Sequence, residues 1–325
     1  MSAALACAPS AFSQPPAFSR PIDIHDPPSG PVYFGEWQGL CDGAGICAGV
    51  AYASIYDAPG YVLIRSSAKG PIAILVGRRG EPPGPARARR LRIQIVDEAG
   101  RITWSKTAAA PGGVPSFFGA RIDGCGDLVK MTRALETGRT VRLGVVGVAG
   151  PPTVIALNGV ARTLPWLRDH ARFESQPSVR RADPVSQAHL PTTPPPSVTR
   201  CETDARPPSV ARLAPGRLLW LTPCRVGDER ETRLDLTDEA GVALPSPAVD
   251  PPLGGLTLET FTYDSATRTL TAATYRDATR SCGNLYQWAW DGVGFRFFTE
   301  RHTGSCRGLD PADWPSGYRL RLIDR

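Results

Sequence analysis

Cysteine is the residue type in this chain whose placement could carry the most chemistry. The eight cysteines stand at Cys7, Cys41, Cys47, Cys125, Cys201, Cys224, Cys282 and Cys306. None forms a CxxC pair, and no two pairs have zinc-ribbon spacing, so a structural zinc site has no support. Three separations, 6 (41 to 47), 23 (201 to 224) and 24 (282 to 306), suit local loop-closing disulfides. Such bridges persist in an oxidising compartment. Cys125 has no obvious partner and is expected as an unpaired thiol, in Gly124-Cys125-Gly126 just ahead of a helical pattern. A helix N-terminus would lower its pKa, but a small residue tucked into a tight helix start is the plainer reading.

Other constellations are thinner. Nucleophilic catalysis needs a Ser or Cys with a partner His. There is no GxSxG elbow, and the four histidines, His25, His170, His189 and His302, fall mostly in connecting segments. His170 and Glu174 stand at i, i+4 and could share a metal, yet two ligands do not make a site; with Asp169 and Arg172 they read as the wet face of a helix. No carboxylate pair stands out among 31 acids, and no Gly-rich phosphate loop is present. No catalytic, metal or cofactor-binding residue is assigned. The most specific feature is the run CGNLYQWAWDGVGFRFFTERHTGSCRG. Tyr286, Trp288 and Trp290 alternate onto one face of a strand, Phe295 and Phe297 onto one face of the next, and Asp291-Gly292 is a hairpin signal. Tyr286, Trp288, Trp290 and Phe295 form the candidate binding face. Exposed, it could stack on sugar rings or grip a protein; buried, it is the core of a small β domain, the reading favoured.

These residues must be held by short strands. With 33 Gly and 33 Pro in 325 residues the chain is rich in turns, well above average usage, and its length suits two domains. Arg92 and Gln94 alternate with Ile93 and Ile95, the mark of a half-buried strand, and Asp97-Glu98-Ala99-Gly100 turns it into Ile102–Trp104. Asp238-Glu239-Ala240-Gly241 repeats that turn, which reads as one good turn used twice. Leu128, Met131 and Leu135 share a helix face over 127–137, with Asp127 as the N-cap and Gly138 as the stop. A second helix is expected to begin at Pro165, where a missing N–H is harmless. The fold class is mainly β with a minor helical part: two β-sandwich-like domains, the first with one or two helices, joined by a Pro-rich linker. The divisions are a signal-peptide remnant at 1–13, an extended lead-in at 14–31, a β domain at 32–175, the linker at 176–200 and a disulfide-framed β domain at 201–325.

Net charge is +6, carried almost wholly by arginine, in keeping with GC-rich coding. Arg78, Arg79, Arg87, Arg89, Arg90 and Arg92 read as a solvated edge, so no nucleic-acid partner is expected. No stretch reaches the ~20 apolar residues of a membrane span. Ala11-Phe12-Ser13 looks like a cleavage site behind a truncated signal peptide. Lipidation of Cys7 is the other reading, although Leu5 stands one place off the usual register.

Trp37-x-x-x-Cys41-(x5)-Cys47-Ala48 and Leu157-Asn158-Gly159, followed by 164–169, resemble the invasion-associated locus B proteins, exported bacterial β-rich proteins. With Cys201, Leu218-x-x-x-x-Pro223-Cys224, Ser281-Cys282-Gly283, Trp290-Asp291-Gly292-x-x-Phe295 and Cys306-Arg307-Gly308, the chain resembles the bacterial family of exported six-cysteine proteins known as domain of unknown function 1176. The resemblance implies the pairings Cys41–Cys47, Cys201–Cys224 and Cys282–Cys306, each longer loop adding roughly 3 kcal/mol. It implies a periplasmic or secreted protein and supplies no catalytic residue. Two departures stand out: Pro165 lies in a segment that is usually plain helix, and Cys125 lacks the nearby partner found in the locus B group. The functional expectation is a non-catalytic envelope binding or structural module, with an unknown envelope protein or glycan as partner. The alternatives are an envelope hydrolase or thiol enzyme, and an inhibitor-like module that caps a partner protein.

Overall fold

The structure, a computed structural model, describes residues 31–325 apart from 43, 44, 55–57, 68, 80–88, 111–116, 172–177, 199, 200, 202–206, 227, 228, 246–248, 251–259, 279 and 325. The signal-peptide remnant, the lead-in, Cys7, His25, Arg87, Arg172 and Glu174 therefore lie outside the described residues. Among those described the chain is mainly β, with 22 strands and two α-helices. None of its helices is long and apolar enough to cross a membrane.

The chain forms two compact units. In the first, β1 (Val32–Phe34), β2 (Trp37–Cys41), β3 (Cys47–Tyr52), β4 (Gly60–Ser67) and β5 (Gly70–Arg79) run antiparallel. The chain then leaves for β6 (Arg90–Val96) and β7 (Ile102–Ala109) and comes back as β8 (Phe117–Ile122) against β5. After α1 (Cys125–Thr137), β9 (Thr140–Val145) and β10 (Thr153–Ala156) complete a second sheet ordered β10-β9-β6-β7, and α2 (Val160–His170) follows. One core joins both sheets and both helices, with Val62, Ile64, Ile74 and Val76 from the first sheet and Leu91, Ile93, Ile95, Val141 and Leu143 from the second.

Glycine pairs shape the first sheet. Gly39 of β2 lies directly opposite Gly49 of β3, and α2 seats in the notch they leave. A Cβ on Gly39 would meet the Trp166 ring at 2.6 Å, and one on Gly49 would meet Thr163 at 2.8 Å and Leu167 at 3.0 Å. Gly77 and Gly119 are likewise opposite one another on β5 and β8. The Tyr61 side chain from β4 covers both, its ring 2.4 Å from a Cβ on Gly77 and its hydroxyl 2.9 Å from one on Gly119. An aromatic neighbour thus replaces the side chain that glycine lacks in a strand.

Helix limits differ from the sequence expectation in two places. Helix α1 begins at Cys125 with Gly124 at its N-cap, and the Asp127 carboxylate is paired with Lys106 of β7. Helix α2 begins at Val160 and carries Pro165 inside it rather than starting there. Its start is fixed upstream: Gly159 holds φ 101°, and a Cβ there would lie 1.7 Å from the Phe34 carbonyl oxygen. Val160, Thr163, Leu164 and Leu167 are buried, a helical stripe whose packing outweighs the one hydrogen bond a proline forfeits.

The second unit holds β11 (Ser178–Arg181), β12 (Ser209–Ala214), β13 (Arg217–Val226), β14 (Glu229–Thr237), β15 (Ala243–Leu244), β16 (Val249–Asp250), β17 (Thr260–Asp264), β18 (Thr269–Tyr275) and β19 (Gly283–Trp290). Strands β20 (Phe295–Thr303), β21 (Ser316–Arg319) and β22 (Arg321–Asp324) complete the numbering. Two main sheets result, ordered β12-β13-β14-β15 and β16-β20-β19-β18-β17.

The stretch 176–200, expected as a linker, takes part in this unit. Strand β11 pairs in parallel with β22, and the Arg181 and Arg268 guanidiniums both hold the Asp324 carboxylate, at 2.8 and 2.6 Å. Leu190 and Val198 pack on the buried Trp220, so its proline-rich sequence covers a core instead of spanning solvent. Two stretches assigned to the C-terminal half, Arg276–Cys282 and Thr303–Gly317, cluster with the first unit. There the Tyr52 and Thr303 hydroxyls are 2.8 Å apart, and Arg65 pairs with Asp313 at 3.1 Å.

The DEAG turn is the same object in both units. Gly100 and Gly241 hold φ of 77° and 84°. The amides of Arg101 and Val242 donate to the carboxylates of Asp97 and Asp238 at 2.9 and 2.8 Å.

Candidate functional site

The aromatic hairpin is core. Trp288, Trp290 and Phe295 are fully buried; their rings meet those of Phe297 (Trp288, 5.5 Å) and each other (Trp290–Phe295, 5.2 Å), with Tyr263 6.1 Å from Phe295. Tyr286 is half-buried, beside Trp288 and Phe297. Strand alternation does put these rings on one face, and the second unit's need for apolar volume turns that face inward. A buried indole cannot stack on a sugar, so the glycan-stacking expectation for Trp288 and Trp290 is withdrawn. Asp291 closes the hairpin, accepting from the amides of Val293 and Gly294, both at 2.8 Å, and from Arg296.

The cysteines are used as cross-links. Cys41–Cys47, Cys201–Cys224 and Cys282–Cys306 are bonded, with Cα separations of 3.9, 5.2 and 4.6 Å. Cys41 and Cys47 face each other at the last rung of the β2–β3 ladder. Both ends of the third bridge lie in the first unit, not in the C-terminal domain it was expected to frame. Cys125 corrects the sequence reading outright: it is exposed at the first position of α1 and is disulfide-bonded, not an unpaired thiol. A bonded sulfur does not titrate, so helix-activated thiolate chemistry at this position falls. Asp277 lies close to the Cys282–Cys306 bridge. Both sulfurs are spent on each other, and the Asp277 carboxylate is taken by the Ser281 amide and hydroxyl, at 2.8 and 2.9 Å. That cluster is a tied turn rather than a metal centre.

His170 is held against Trp166, and Glu174, its i+4 neighbour, lies outside the described residues. The His170 ring stacks on Trp166 at 4.7 Å, its Nδ1 lies 2.9 Å from the Trp166 carbonyl, and the Phe34 ring is tilted against the same indole at 5.7 Å. His189 is exposed, in a turn with φ 54°.

A feature the sequence reading missed is an open cavity of about 500 Å³ in the first unit, lined by Glu98, Glu136, Arg139, Thr140, Asn158 and the first turn of α2 among others. The Arg139–Glu98 ion pair at its edge, 3.5 Å long, is well exposed and holds little energy. The motif Leu157-Asn158-Gly159 is part of the cavity's lining. The Asn158 carbonyl accepts the Glu36 amide at 3.2 Å, which ties the β10–α2 joint to the β1–β2 turn.

Carboxylates with displaced pKa values all move downward. The Arg101 backbone amide lowers Asp97, the Lys106 ammonium lowers Asp127 and the Thr267 hydroxyl lowers Asp264. Burial alone would raise Asp291, but hydrogen bonds from Gly294, Arg296 and Val293 outweigh it. A general acid needs the opposite shift; these groups hold turns and a helix end. Tyrosines move up: burial takes Tyr52 to about 12 and raises Tyr61 and Tyr263 further.

No curated protein matches this chain. Among solved structures it is similar to invasion associated protein B from Bartonella henselae, at 20% identity and a TM-score of 0.32, over 43% of this chain and 96% of that one. A family model described as "Protein of unknown function (DUF1176)" matches residues 33–321. The chain belongs to the DUF1176 family.

Proposed function

We propose that the protein works in the bacterial envelope, periplasmic or secreted, as a disulfide-stabilised module that binds an envelope component without transforming it. The observation that carries this reading is the set of bonded cysteines: three bridges of short sequence separation, plus a bonded Cys125. Reducing cytosol would not keep such bridges closed. Support for binding over catalysis comes from the direction of the carboxylate shifts and from the use of Cys125, Asp277 and His170 in bonds and stacks that hold the fold.

Incubation of the oxidised protein with envelope fragments, followed by sedimentation and mass spectrometry of the fragments, tests this reading. Co-sedimentation with wall, lipid and protein components chemically unchanged is the expected result. Cleavage products that accumulate with time would make it an enzyme and overturn the proposal.

A further inference from the structure

The second sheet of the first unit buries one face and leaves the other in solvent. Alternation along β6 turns Leu91, Ile93 and Ile95 inward and Arg90, Arg92 and Gln94 outward. Register extends the outward face across the sheet: Arg92 lies between Thr107 of β7 and Gly144 of β9, and Gln94 between Ser105 and Arg142. Val154 of β10 lies beside Arg142. Arg90, Arg92 and Arg142 are exposed. Among the described residues, no outward position on these four strands is an Asp or Glu; Lys106, paired with Asp127, belongs to the inward set. The nearby acids are occupied at the turns, Asp97 by Arg101 and Glu98 by Arg139.

Two features argue for more than a wet face. Like charges at neighbouring rungs repel, and the register neighbours of the three arginines are Ala109, Thr107, Gly144, Gln94 and Val154, none of them an offsetting carboxylate. At Gly144 the surface beside Arg92 is open, with nothing within 4 Å of where a Cβ would stand. The β9–β10 loop adds an independent observation. It leaves the sheet at the Arg90 end, where the Val146 amide donates to the Arg90 carbonyl at 3.0 Å. The loop exposes Val146 (39%) and Val148 (42%) next to that end of the sheet, and no charged residue occurs between Arg142 and Arg162. Basic side chains beside exposed aliphatics combine the two forces of peripheral membrane association, attraction to anionic headgroups and burial at the acyl boundary. A polar polyanion would have no use for the valines.

We propose that this arginine face, with the Val146–Val148 loop, docks on the surface of an anionic phospholipid bilayer, its guanidiniums taking lipid phosphates. The proposal rests on the envelope reading above and names the component bound.

The test is co-sedimentation of the oxidised full chain with vesicles of phosphatidylglycerol and phosphatidylcholine, against phosphatidylcholine alone. Partition into the anionic vesicles is expected, weakening steeply with salt. The R90Q/R92Q/R142Q variant is expected to lose about 100-fold in partition, from roughly a fivefold effect per arginine near the surface. V146S/V148S should weaken binding without changing its salt dependence. R90K/R92K/R142K, which keeps the charge, should bind as the parent does and controls for folding, as does the salt titration of the unmodified protein. Equal partition into neutral vesicles, an unchanged R90Q/R92Q/R142Q variant, or capture by an acidic polysaccharide with no vesicle binding would each overturn the proposal. Thiol trapping of the protein in its own cells reads the compartment separately, so failure here and failure of the envelope reading are distinguishable.

Discussion

Trp288 and Trp290 show how one side chain can change meaning between sequence and structure. Period-2 alternation gives the face but not its direction, because direction depends on which other strands cover it. Here β18 and β19 pair with Leu270 opposite Trp288, while Phe297 packs on Trp288 and Phe295 on Trp290. Trp288→Ala should therefore act on stability, costing about 3–5 kcal/mol, seen as a lower denaturant midpoint for the transition that reports the second unit, with vesicle partition of the folded protein unaltered. Titration is a second property of single residues. Asp97, Asp127, Asp264 and Asp291 hold folded pKa values below those of the unfolded chain. Their contribution is complete above the unfolded value near about 4 and is lost as pH falls through the folded values. Thermal stability measured from pH 6 down to pH 2 should stay level and then decline below about pH 4; a decline centred near pH 6 would point to histidine instead.

At the scale of elements, much was legible because local chemistry decided it. The strand at Leu91–Val96, the two DEAG turns and the Asp291-Gly292 hairpin follow from alternation and from carboxylates that cap their own turns. The six cysteines at short separation stand at bonding distance for the same reason. What was not legible came from tertiary packing. Helix α2 runs through Pro165 because Gly39 and Gly49, more than a hundred residues upstream, leave a notch that Trp166, Thr163 and Leu167 fill. Neither glycine announces itself, since its role is a side chain it does not have. Gly49→Val should push α2 off this seat, with an overpacking penalty of about 1–3 kcal/mol read by equilibrium unfolding and by increased hydrogen exchange in 160–170. Unchanged exchange would mean that α2 is held elsewhere. The stretch 176–200 was misread by the same logic: a proline cluster has no period, yet Leu190 and Val198 still find Trp220.

For the whole molecule, the chain crosses between its two units more than once, so neither unit is a contiguous piece of sequence. A linear domain reading could not assign Arg276–Cys282 and Thr303–Gly317 to the first unit, because their partners, among them Tyr52 and Arg65, lie more than two hundred residues upstream. In sequence only Arg92 and Gln94 showed the alternation, with Arg90 read as part of a solvated edge, and Arg142 joined the face only through the β6–β9 register. Bonded cysteines and envelope location are the claims on which the functional reading depends. They are tested most directly by trapping thiols in intact cells that make the protein, then mapping its non-reduced peptides by mass spectrometry. The account predicts no alkylated cysteine, peptides linked through Cys41–Cys47, Cys201–Cys224 and Cys282–Cys306, a cross-linked Cys125, and release of the protein with the envelope fraction. A cytosolic protein with these cysteines alkylated would contradict it.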